Sequence, residues 1–297
     1  MIWQGVFPAI TTPFREDLSV DSDAVAALVD SMVRAGCRGV VPLGSLGESA
    51  TIRSDEKAAI LDVCRRALGG RAALVAGIAA LSTAQAVELA SVAREKGCDG
   101  LMVLPPWVYR TDPRETAAHF SAILDATPLP CMLYNNPIAY GTDVSTPELA
   151  ALAARHPNLV AVKESSGDVR RITDIQAALG SRLAIFVGVD DLIVEGIAAG
   201  AVGWIAGLVN ALPEESVRLF DLASAGKTRE ARELYEWFLP LLRLDVVPKF
   251  VQLIKLAQQE TGTGSERVRP PRLILEGRER DEALALIRER LASRPKM

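Results

Sequence analysis

Short apolar runs alternate with amphipathic stretches along most of the chain. Eight runs are rich in Val, Ile, Leu and Ala, and they span residues 5–10, 39–43, 73–78, 100–104, 130–134, 159–162, 183–187 and 203–208. Most of them contain almost no polar residue, which is typical of strands that are buried on both faces. The pattern therefore predicts eight strands with helices between them.

Helix start signals lie in the stretches between these runs. Ser82 is followed by Gln85 and Asp112 by Glu115, which is the spacing of a capping box at a helix N-terminus. Pro113 comes directly after Asp112, and the first turn of a helix tolerates proline because an N–H at that position has no partner. These signals predict that helices separate the strands.

The alternation predicts parallel strands that are joined by right-handed crossovers. An open, doubly wound sheet would accommodate the same order, but a closed eight-stranded barrel fits better because no run has the polar pattern of an edge strand. We therefore predict an α/β fold with a (β/α)8 TIM barrel over residues 1–225. Only helical periodicity remains over residues 226–297, at 227–242, 247–260 and 280–291, and it predicts a C-terminal helical subdomain.

Composition and charge limit the classes of function. The 297 residues include 33 basic and 37 acidic side chains, and the net charge of −4 argues against a nucleic-acid partner, which requires a basic face. No apolar run approaches about 18 residues, so no membrane span and no membrane partner are expected. The N-terminus has no basic segment followed by an apolar one, and the chain is therefore predicted to be cytoplasmic.

Cysteine and histidine are too sparse to indicate a metal or redox centre. The four cysteines lie far apart without a CxxC pair, and the histidines are His119 and His156. Asp190 and Asp191 follow the seventh apolar run, and we interpret them as a helix N-terminus rather than a metal site. We therefore expect reduced thiols, no metal ion and no cofactor.

Two residues at the ends of neighbouring runs are candidates for covalent chemistry, since active sites of such barrels lie at the carboxyl ends of the strands. Lys163 extends the sixth run. Burial lowers the pKa of a lysine and makes its amine a nucleophile for carbonyl carbons, whereas a lysine that reaches solvent would be unreactive. Tyr134 ends the fifth run, where its phenol would either transfer protons beside Lys163 or simply pack inside the barrel.

A glycine-rich segment at 44–48, Gly-Ser-Leu-Gly-Glu, follows the second run. Glycine allows backbone N–H groups to converge on an anion, and Ser45 adds a hydroxyl. The segment is therefore either an anion-binding loop or a tight turn. Glu48 is expected to hold the loop in place through hydrogen bonds.

Three motifs together resemble the dihydrodipicolinate synthase/N-acetylneuraminate lyase family. They are Gly-Ser-Leu-Gly-Glu at 44–48, Tyr-Asn-Asn-Pro at 134–137 and Val-Lys-Glu-Ser-Ser-Gly at 162–167. The similarity covers nearly the whole chain, including the helical tail. It implies a class I, aldolase-like barrel that forms a Schiff base, assembles as a homotetramer and acts on a small 2-oxo or 2-imino acid without a cofactor.

The resemblance also implies roles for individual residues. Lys163 would form the imine, Tyr134 would relay protons, and Ser45 would take part in catalysis. Five further residues would hold the substrate, namely Gly44, Leu46, Asn136, Tyr140 and Ile205. Ser45 and the backbone around Leu46 would bind the carboxylate, and Ile205 would place its carbonyl near Lys163.

Four positions depart from the pattern of the synthases. Ser45 and Leu46 stand where they have two threonines, and Ala139 stands where they have an arginine that binds a second carboxylate. Alanine cannot replace the paired N–H donors of an arginine. Val108 occupies the position of a tyrosine that a neighbouring subunit contributes, and Tyr109 is displaced from it by one residue. These departures argue against dihydrodipicolinate synthesis.

The chain looks most like the Δ1-pyrroline-4-hydroxy-2-carboxylate deaminases of bacterial hydroxyproline degradation. The shared pattern includes Leu244-Asp245, Lys249 and Ile254-Lys255-Leu256-Ala257 in the tail. This branch implies ring opening by Lys163, loss of the 4-hydroxyl, and release of ammonia and 2-oxoglutarate semialdehyde.

Two other interpretations stay open, because a fold does not fix a reaction. One is another reaction of the family, either an aldolase or dehydratase for a 2-oxo sugar acid or a divergent dihydrodipicolinate synthase. The other is a non-catalytic carboxylate sensor, against which the presence of both Lys163 and Tyr134 weighs.

Overall fold

The computed structural model describes residues 3–295 and contains the eight strands that the apolar runs predict. The strands are β1 (Gly5–Pro8), β2 (Gly39–Val40), β3 (Ala73–Ile78), β4 (Gly100–Val103), β5 (Cys131–Asn135), β6 (Leu159–Glu164), β7 (Ala184–Val187) and β8 (Gly203–Ala206). Every strand begins within one residue of its predicted start, because buried apolar runs are strong strand signals.

Helices follow the strands along the chain. They are α1 (Ser22–Arg34), α2 (Ser54–Leu68), α3 (Thr83–Glu95), α4 (Pro113–Asp125), α5 (Pro137–Tyr140), α6 (Thr146–Arg155), α7 (Arg170–Leu179), α8 (Ile193–Ala198) and α9 (Pro213–Ser224). The predicted caps are confirmed, since Ser82 accepts a hydrogen bond from the N–H of Gln85 at 3.2 Å and Asp112 accepts one from Glu115 at 2.9 Å. These caps fix where α3 and α4 begin.

The strands are all parallel and close into a barrel. Their hydrogen-bonded order is β1-β8-β7-β6-β5-β4-β3-β2. Beyond the strand ends, Ala9 and Val41 form a parallel bridge that joins the β1 and β2 sides of the sheet. The N–H of Val41 donates to Pro8 O at 2.7 Å, and the N–H of Ile10 donates to Val41 O at 3.1 Å. The fold is therefore the predicted (β/α)8 TIM barrel and not an open sheet.

The second strand is shorter than predicted. The apolar run spans residues 39–43, but β2 includes only two residues of it. Leu43 has a φ of 64°, in the left-handed region that leucine rarely adopts. The chain therefore turns out of the sheet early, and this turn begins the glycine-rich segment.

Aromatic side chains fill the barrel between β1, β2, β7 and β8. Phe7 and Phe186 are fully buried, and their rings meet edge to face with centroids 5.4 Å apart. A Cβ on Gly39 would lie 2.4 Å from the Phe7 ring, and a Cβ on Gly203 would lie 2.2 Å from the Phe186 ring. Glycine is required at both positions for this packing. Since side chains fill the interior of the barrel, a site is expected at the carboxyl ends of the strands.

The tail adds three helices, α10 (Thr228–Leu242), α11 (Phe250–Thr261) and α12 (Gly277–Ala292), close to the predicted ranges. Helix α10 packs on α9 and α12, and α11 packs on α12. The division of the chain at residue 225 stays a prediction. No helix within residues 3–295 is long and apolar enough to cross a membrane.

Candidate active site

Tyr134 and Lys163 lie next to each other at the carboxyl ends of β5 and β6. They are partners in the register of the two strands. Both are buried, with exposures of 5% for Tyr134 and 6% for Lys163, and Nζ of Lys163 lies 4.0 Å from the centroid of the Tyr134 ring. The amine and the phenol therefore lie side by side as predicted. The alternative, a lysine whose amine reaches solvent, is wrong.

Burial controls the charge of this lysine. It lowers the pKa of Lys163 to about 8, an effect that negative charge on Asp245 or Asp190 opposes. A pKa near 8 leaves a useful fraction of neutral amine close to neutral pH, which is the form that attacks carbonyl and imine carbons.

The phenol of Tyr134 stays protonated, and the side chain of Asn136 holds it in place. Burial raises the pKa of Tyr134 to about 12, an effect that the side chain of Asn136 opposes. The amide Nδ2 of Asn136 donates to Oη of Tyr134 at 3.0 Å, and its Oδ1 accepts from the N–H of Ala139 at 2.9 Å. Asn136 thus caps α5 and orients the phenol, and its contact with the substrate stays a prediction.

A second tyrosine connects this pair to the glycine-rich segment. The rings of Tyr134 and Tyr140 meet nearly at right angles, with centroids 5.7 Å apart. The hydroxyl of Tyr140 is hydrogen-bonded to Oγ of Ser45, and burial raises the pKa of Tyr140. The predicted residues Ser45, Asn136 and Tyr140 therefore share one chain of contacts with the pair of Tyr134 and Lys163.

The loop at 44–48 has the backbone of an anion-binding site. Leu43 before it and Glu48 at its end both have positive φ angles, 64° and 55°. Within the described part of the chain, the N–H groups of Ser45 and Leu46 donate to no protein acceptor. Leu46 is 4% exposed and Gly44 is buried, so this part of the loop is shielded from solvent. Free N–H groups in such a turn are what a carboxylate requires.

Glu48 anchors this loop, as the sequence predicts. Its carboxylate is buried and accepts from Nζ of Lys255 at 2.6 Å and from the N–H of Arg269 at 3.0 Å. Lys255 also donates to the carbonyl of Thr12 at 2.8 Å. Lys255 is 1% exposed, and it lies on α11, so the tail holds the loop from outside the barrel. The sequence motif contains Lys255 but gives no reason to pair it with Glu48.

Asp190 is a buried part of the site that the sequence does not identify. It starts a short 3-10 turn, which agrees with the predicted helix N-terminus. Its carboxylate faces inward and accepts from Nε1 of Trp204 at 3.0 Å and from the N–H groups of Gly207 and Leu208 at 3.1 and 2.7 Å. Burial raises the pKa of Asp190 to about 6, against the effect of its hydrogen-bond donors and of Lys163.

Asp245 is a second carboxyl that the sequence leaves without a role. It belongs to the turn Arg243–Asp245 between α10 and α11, and burial raises its pKa well above the usual range, with Asp190 adding to the rise and Lys163 opposing it. A Cβ on Gly207 would lie 2.0 Å from Oδ1 of Asp245. The tail therefore brings a carboxyl against the end of β8.

Gly188 provides the space for the lysine. A Cβ at this position would lie 2.0 Å from Oγ of Ser165 and 2.6 Å from Cε of Lys163. Both distances are far below van der Waals contact, so a larger residue there displaces Lys163. The sequence shows Gly188 after the seventh run, but not that it faces β6.

The last predicted site residue, Ile205, lies in β8 opposite Phe7 and is 1% exposed. The approach of its carbonyl to Lys163 stays a prediction. Val108 and Tyr109 lie on the loop before α4 and are 61% and 58% exposed. The four cysteines are unpaired and buried, as expected of reduced thiols.

Comparison with known proteins gives one consistent family. Residues 3–290 match the sequence profile of the Dihydrodipicolinate synthetase family. The chain is 32% identical over 272 residues to the 4-hydroxy-tetrahydrodipicolinate synthase of Rhizobium meliloti (strain 1021), covering 92% of each protein.

Solved structures agree with this result. The 4-hydroxy-tetrahydrodipicolinate synthase from the methanotroph Methylacidiphilum fumariolicum SolV superposes with a TM-score of 0.92 at 30% identity, over 98% of this chain and 97% of that one. The chloride-inhibited dihydrodipicolinate synthase of Acinetobacter baumannii, complexed with pyruvate, gives a TM-score of 0.90 at 28% identity, over 97% and 98% of the two chains.

Proposed function

Since this chain belongs to the dihydrodipicolinate synthetase family, whose enzymes are class I lyases, we propose that it acts on a small 2-oxo or 2-imino carboxylate through an imine on Lys163. The observation that carries the proposal is the buried pair of Lys163 and Tyr134, with Nζ 4.0 Å from the ring centroid. The specific reaction that we propose is the deamination of Δ1-pyrroline-4-hydroxy-2-carboxylate to 2-oxoglutarate semialdehyde and ammonia.

The first stage opens the ring of the substrate. The neutral amine of Lys163 attacks C2, the ring carbon that bears the carboxylate, and the C2–N bond of the ring then breaks. The two hydrogens of the lysine amine pass to the ring nitrogen, with Tyr134 as the relay. The result is an imine between C2 and Nζ, and a free amino group on C5.

The second stage removes the hydroxyl and the nitrogen. Loss of a proton from C3 gives an enamine, whose electron pair expels the 4-hydroxyl as water and leaves a conjugated imine. A proton then leaves C5 and one returns to C3, which gives an enamine with a C4=C5 bond. Transfer of a proton from the nitrogen of this enamine to C4 converts it into the C5 imine. One water hydrolyses that imine to the aldehyde and ammonia, and a second water releases the product from Lys163, so one water is consumed overall.

Recognition of a single carboxylate supports this substrate. The free N–H groups of Ser45 and Leu46 are suited to one carboxylate. Ala139, in place of an arginine, offers no pair of donors to a second one. The substrate that we propose has one carboxylate, whereas dihydrodipicolinate synthesis ends in a dicarboxylate.

A divergent synthase is the second candidate, and the activities of the named relatives favour it. The protein of Rhizobium meliloti, 32% identical to this chain, is a 4-hydroxy-tetrahydrodipicolinate synthase. An aldolase or dehydratase for a 2-oxo sugar acid would use the same imine. The three candidates differ in product, so they are separated by assay.

The test has two parts. Pyruvate with borohydride is expected to add mass at Lys163, the Lys163→Ala variant is expected to lose the label, and the Lys249→Ala variant, with its exposed lysine, is expected to keep it. An unlabelled wild-type protein would contradict the mechanism. A panel then compares ammonia release from the hydroxypyrroline carboxylate with condensation of pyruvate and aspartate semialdehyde, and with turnover of a 2-oxo sugar acid.

We further propose that the enzyme is a homotetramer in the cytosol, as the family resemblance implies. Val108, Tyr109 and Ile138 are 61%, 58% and 77% exposed in the single chain. Apolar side chains this exposed are suited to contact with another copy. Sedimentation equilibrium checks the assembly, and a monomer at micromolar concentration would contradict it.

A further inference from the structure

One carboxyl oxygen of Asp245, Oδ1, is buried and accepts no hydrogen bond within the described residues. The same atom would lie 2.0 Å from a Cβ on Gly207, so it rests directly on the backbone at the end of β8. A buried polar atom without a partner is costly in a folded protein and calls for an explanation in terms of function.

The carboxyl of Asp190, in contrast, has hydrogen-bond donors for both of its oxygens. Asp190 accepts hydrogen bonds from the N–H of the same Gly207, from that of Leu208 and from the indole of Trp204. Asp245 has no such donors at Oδ1, and Asp190 lies close enough to raise its pKa. Two carboxyls in such different surroundings are suited to different protonation states, with Asp245 as the one that keeps its proton.

The position of Asp245 relative to the lysine completes the geometry. Lys163 packs against Gly188 after β7, and Asp245 packs against Gly207 after β8, so the two side chains approach from adjacent strand ends. The titratable groups that interact electrostatically with Asp245 are Asp190, Lys163, Asp191 and Tyr134. Asp245 thus borders the space in which a substrate bound to Lys163 would extend.

We propose that Asp245 is the general acid that protonates the departing 4-hydroxyl of the substrate bound to Lys163. This inference rests on the proposed deamination. The carboxyl gives its proton to the hydroxyl oxygen, the C4–O bond breaks with its electron pair on that oxygen, and water leaves. The electron pair of the enamine forms the C3=C4 bond. The carboxylate of Asp245 then accepts the proton that C5 loses, which restores the acid.

The test uses Asp245→Asn, which keeps the shape and removes the acid. We expect ring opening to proceed, so borohydride should trap the substrate on Lys163 in an adduct that still carries its 4-hydroxyl. This adduct is heavier by one water than the dehydrated adduct, and mass spectrometry of the labelled peptide distinguishes the two. Ammonia release should fall by about 100-fold or more, the usual contribution of a general acid.

The matched control is Asp191→Asn, which makes the same chemical change at the next carboxylate. Asp191 lies 3.7 Å from Nε of Arg243 and is 21% exposed, and its variant should release ammonia within about threefold of wild type. Asp245→Ala provides a second variant, in which added formate should restore dehydration. Circular dichroism and thermal melting confirm that each variant is folded.

Three results would overturn the inference. The first is an Asp245→Asn variant that releases ammonia as fast as wild type. The second is an Asp245→Asn variant that forms no adduct, which would show that Asp245 acts in imine formation and not in loss of the hydroxyl. The third is a wild-type enzyme that labels with pyruvate but releases no ammonia from the hydroxypyrroline carboxylate. That result overturns the proposed deamination as well, and the wild-type sample alone distinguishes it from the first two.

Discussion

Tyr134 and Lys163 are register partners on adjacent strands, and the amine of one lies 4.0 Å from the ring centre of the other. Their separation is therefore fixed by the hydrogen-bonded ladder of β5 and β6 and not by a loop. Sites that are built on strands hold their geometry more closely than sites on loops. Burial is then the main influence on the pKa values of the amine and the phenol.

Imine formation should depend on pH through Lys163. The amine attacks in its neutral form, and its pKa is lowered to about 8. The rate of trapping by pyruvate and borohydride should therefore rise about tenfold per pH unit below pH 8 and level off above it. Single-turnover trapping between pH 6 and 9.5 checks this. A rate that still rises steeply above pH 9 would show that the lysine has an ordinary pKa.

Removal of the phenol should slow the chemistry with little effect on folding. In Tyr134→Phe the ring that contacts Lys163 remains, and the hydrogen bond from Asn136 is lost at a cost of about 1 kcal/mol. Proton transfer by a positioned side chain contributes about 10²–10⁴-fold, so imine formation should fall by at least the lower value. The measurement is single-turnover trapping together with thermal melting.

The control for this variant is Tyr235→Phe. The hydroxyl of Tyr235 donates to the carbonyl of Asp191 and to the carboxylate of Glu195, and it has no hydrogen bond with Tyr134 or Lys163 among the described residues. Its loss should leave the trapping rate within about threefold of wild type. Equal rates for Tyr134→Phe and wild type would contradict the relay role of the phenol.

A methyl group at residue 188 should displace the reactive amine. In Gly188→Ala the new Cβ would lie 2.0 Å from Oγ of Ser165 and 2.6 Å from Cε of Lys163. Overpacking of this kind destabilises by about 1–3 kcal/mol, and the trapping rate should fall about 100-fold as Lys163 moves. Urea unfolding and single-turnover trapping measure the two effects.

The double variant Ser165→Ala/Gly188→Ala separates stability from activity. It removes the closer of the two clashes, and Oγ of Ser165 has no hydrogen-bond partner in the described part of the chain. Stability should therefore recover in part, while the clash with Lys163 persists and activity stays low. Full recovery of activity would show that Gly188 serves only to accommodate Ser165.

The buried ion pair of Glu48 and Lys255 should matter for both stability and substrate binding. Glu48→Gln leaves a buried lysine without its counter-charge, which costs about 3–5 kcal/mol. Because Glu48 closes the loop that carries Ser45, KM for the carboxylate substrate should rise more than kcat falls. Glu279→Gln breaks the exposed pair with Lys249 instead and should cost less than about 1 kcal/mol. Equal losses in the two variants would contradict the anchor role.

Much of the fold follows from the sequence because barrel strands are buried on both faces. Continuous apolar runs then mark all eight strand starts to within one residue. The shortened β2 escapes prediction from apolarity alone, since residues 41–43 are as apolar as a strand. Val41 still forms a bridge with Ala9, and the chain leaves the sheet at Pro42 and Leu43, where Leu43 has a positive φ. Proline inside the run is the local sequence signal of this early end.

The site is predictable to the extent that its residues end strands. Lys163 and Tyr134 follow from their positions, and a neighbour such as Asn136 follows from the motif. Asp245 and Lys255 reach the site from the tail, and no local pattern indicates which part of the barrel a distant helix covers. The role of Gly188 depends on a contact across strands, which spacing along the chain does not reveal.

The partner of Glu48 lies 207 residues further along the chain. A ribosome therefore synthesises the loop well before the lysine that holds it in place. The carboxylate of Glu48 therefore has no lysine partner until α11 has been synthesised. A chain that stops before α11 would thus carry Lys163 without the lysine that holds the loop at 44–48.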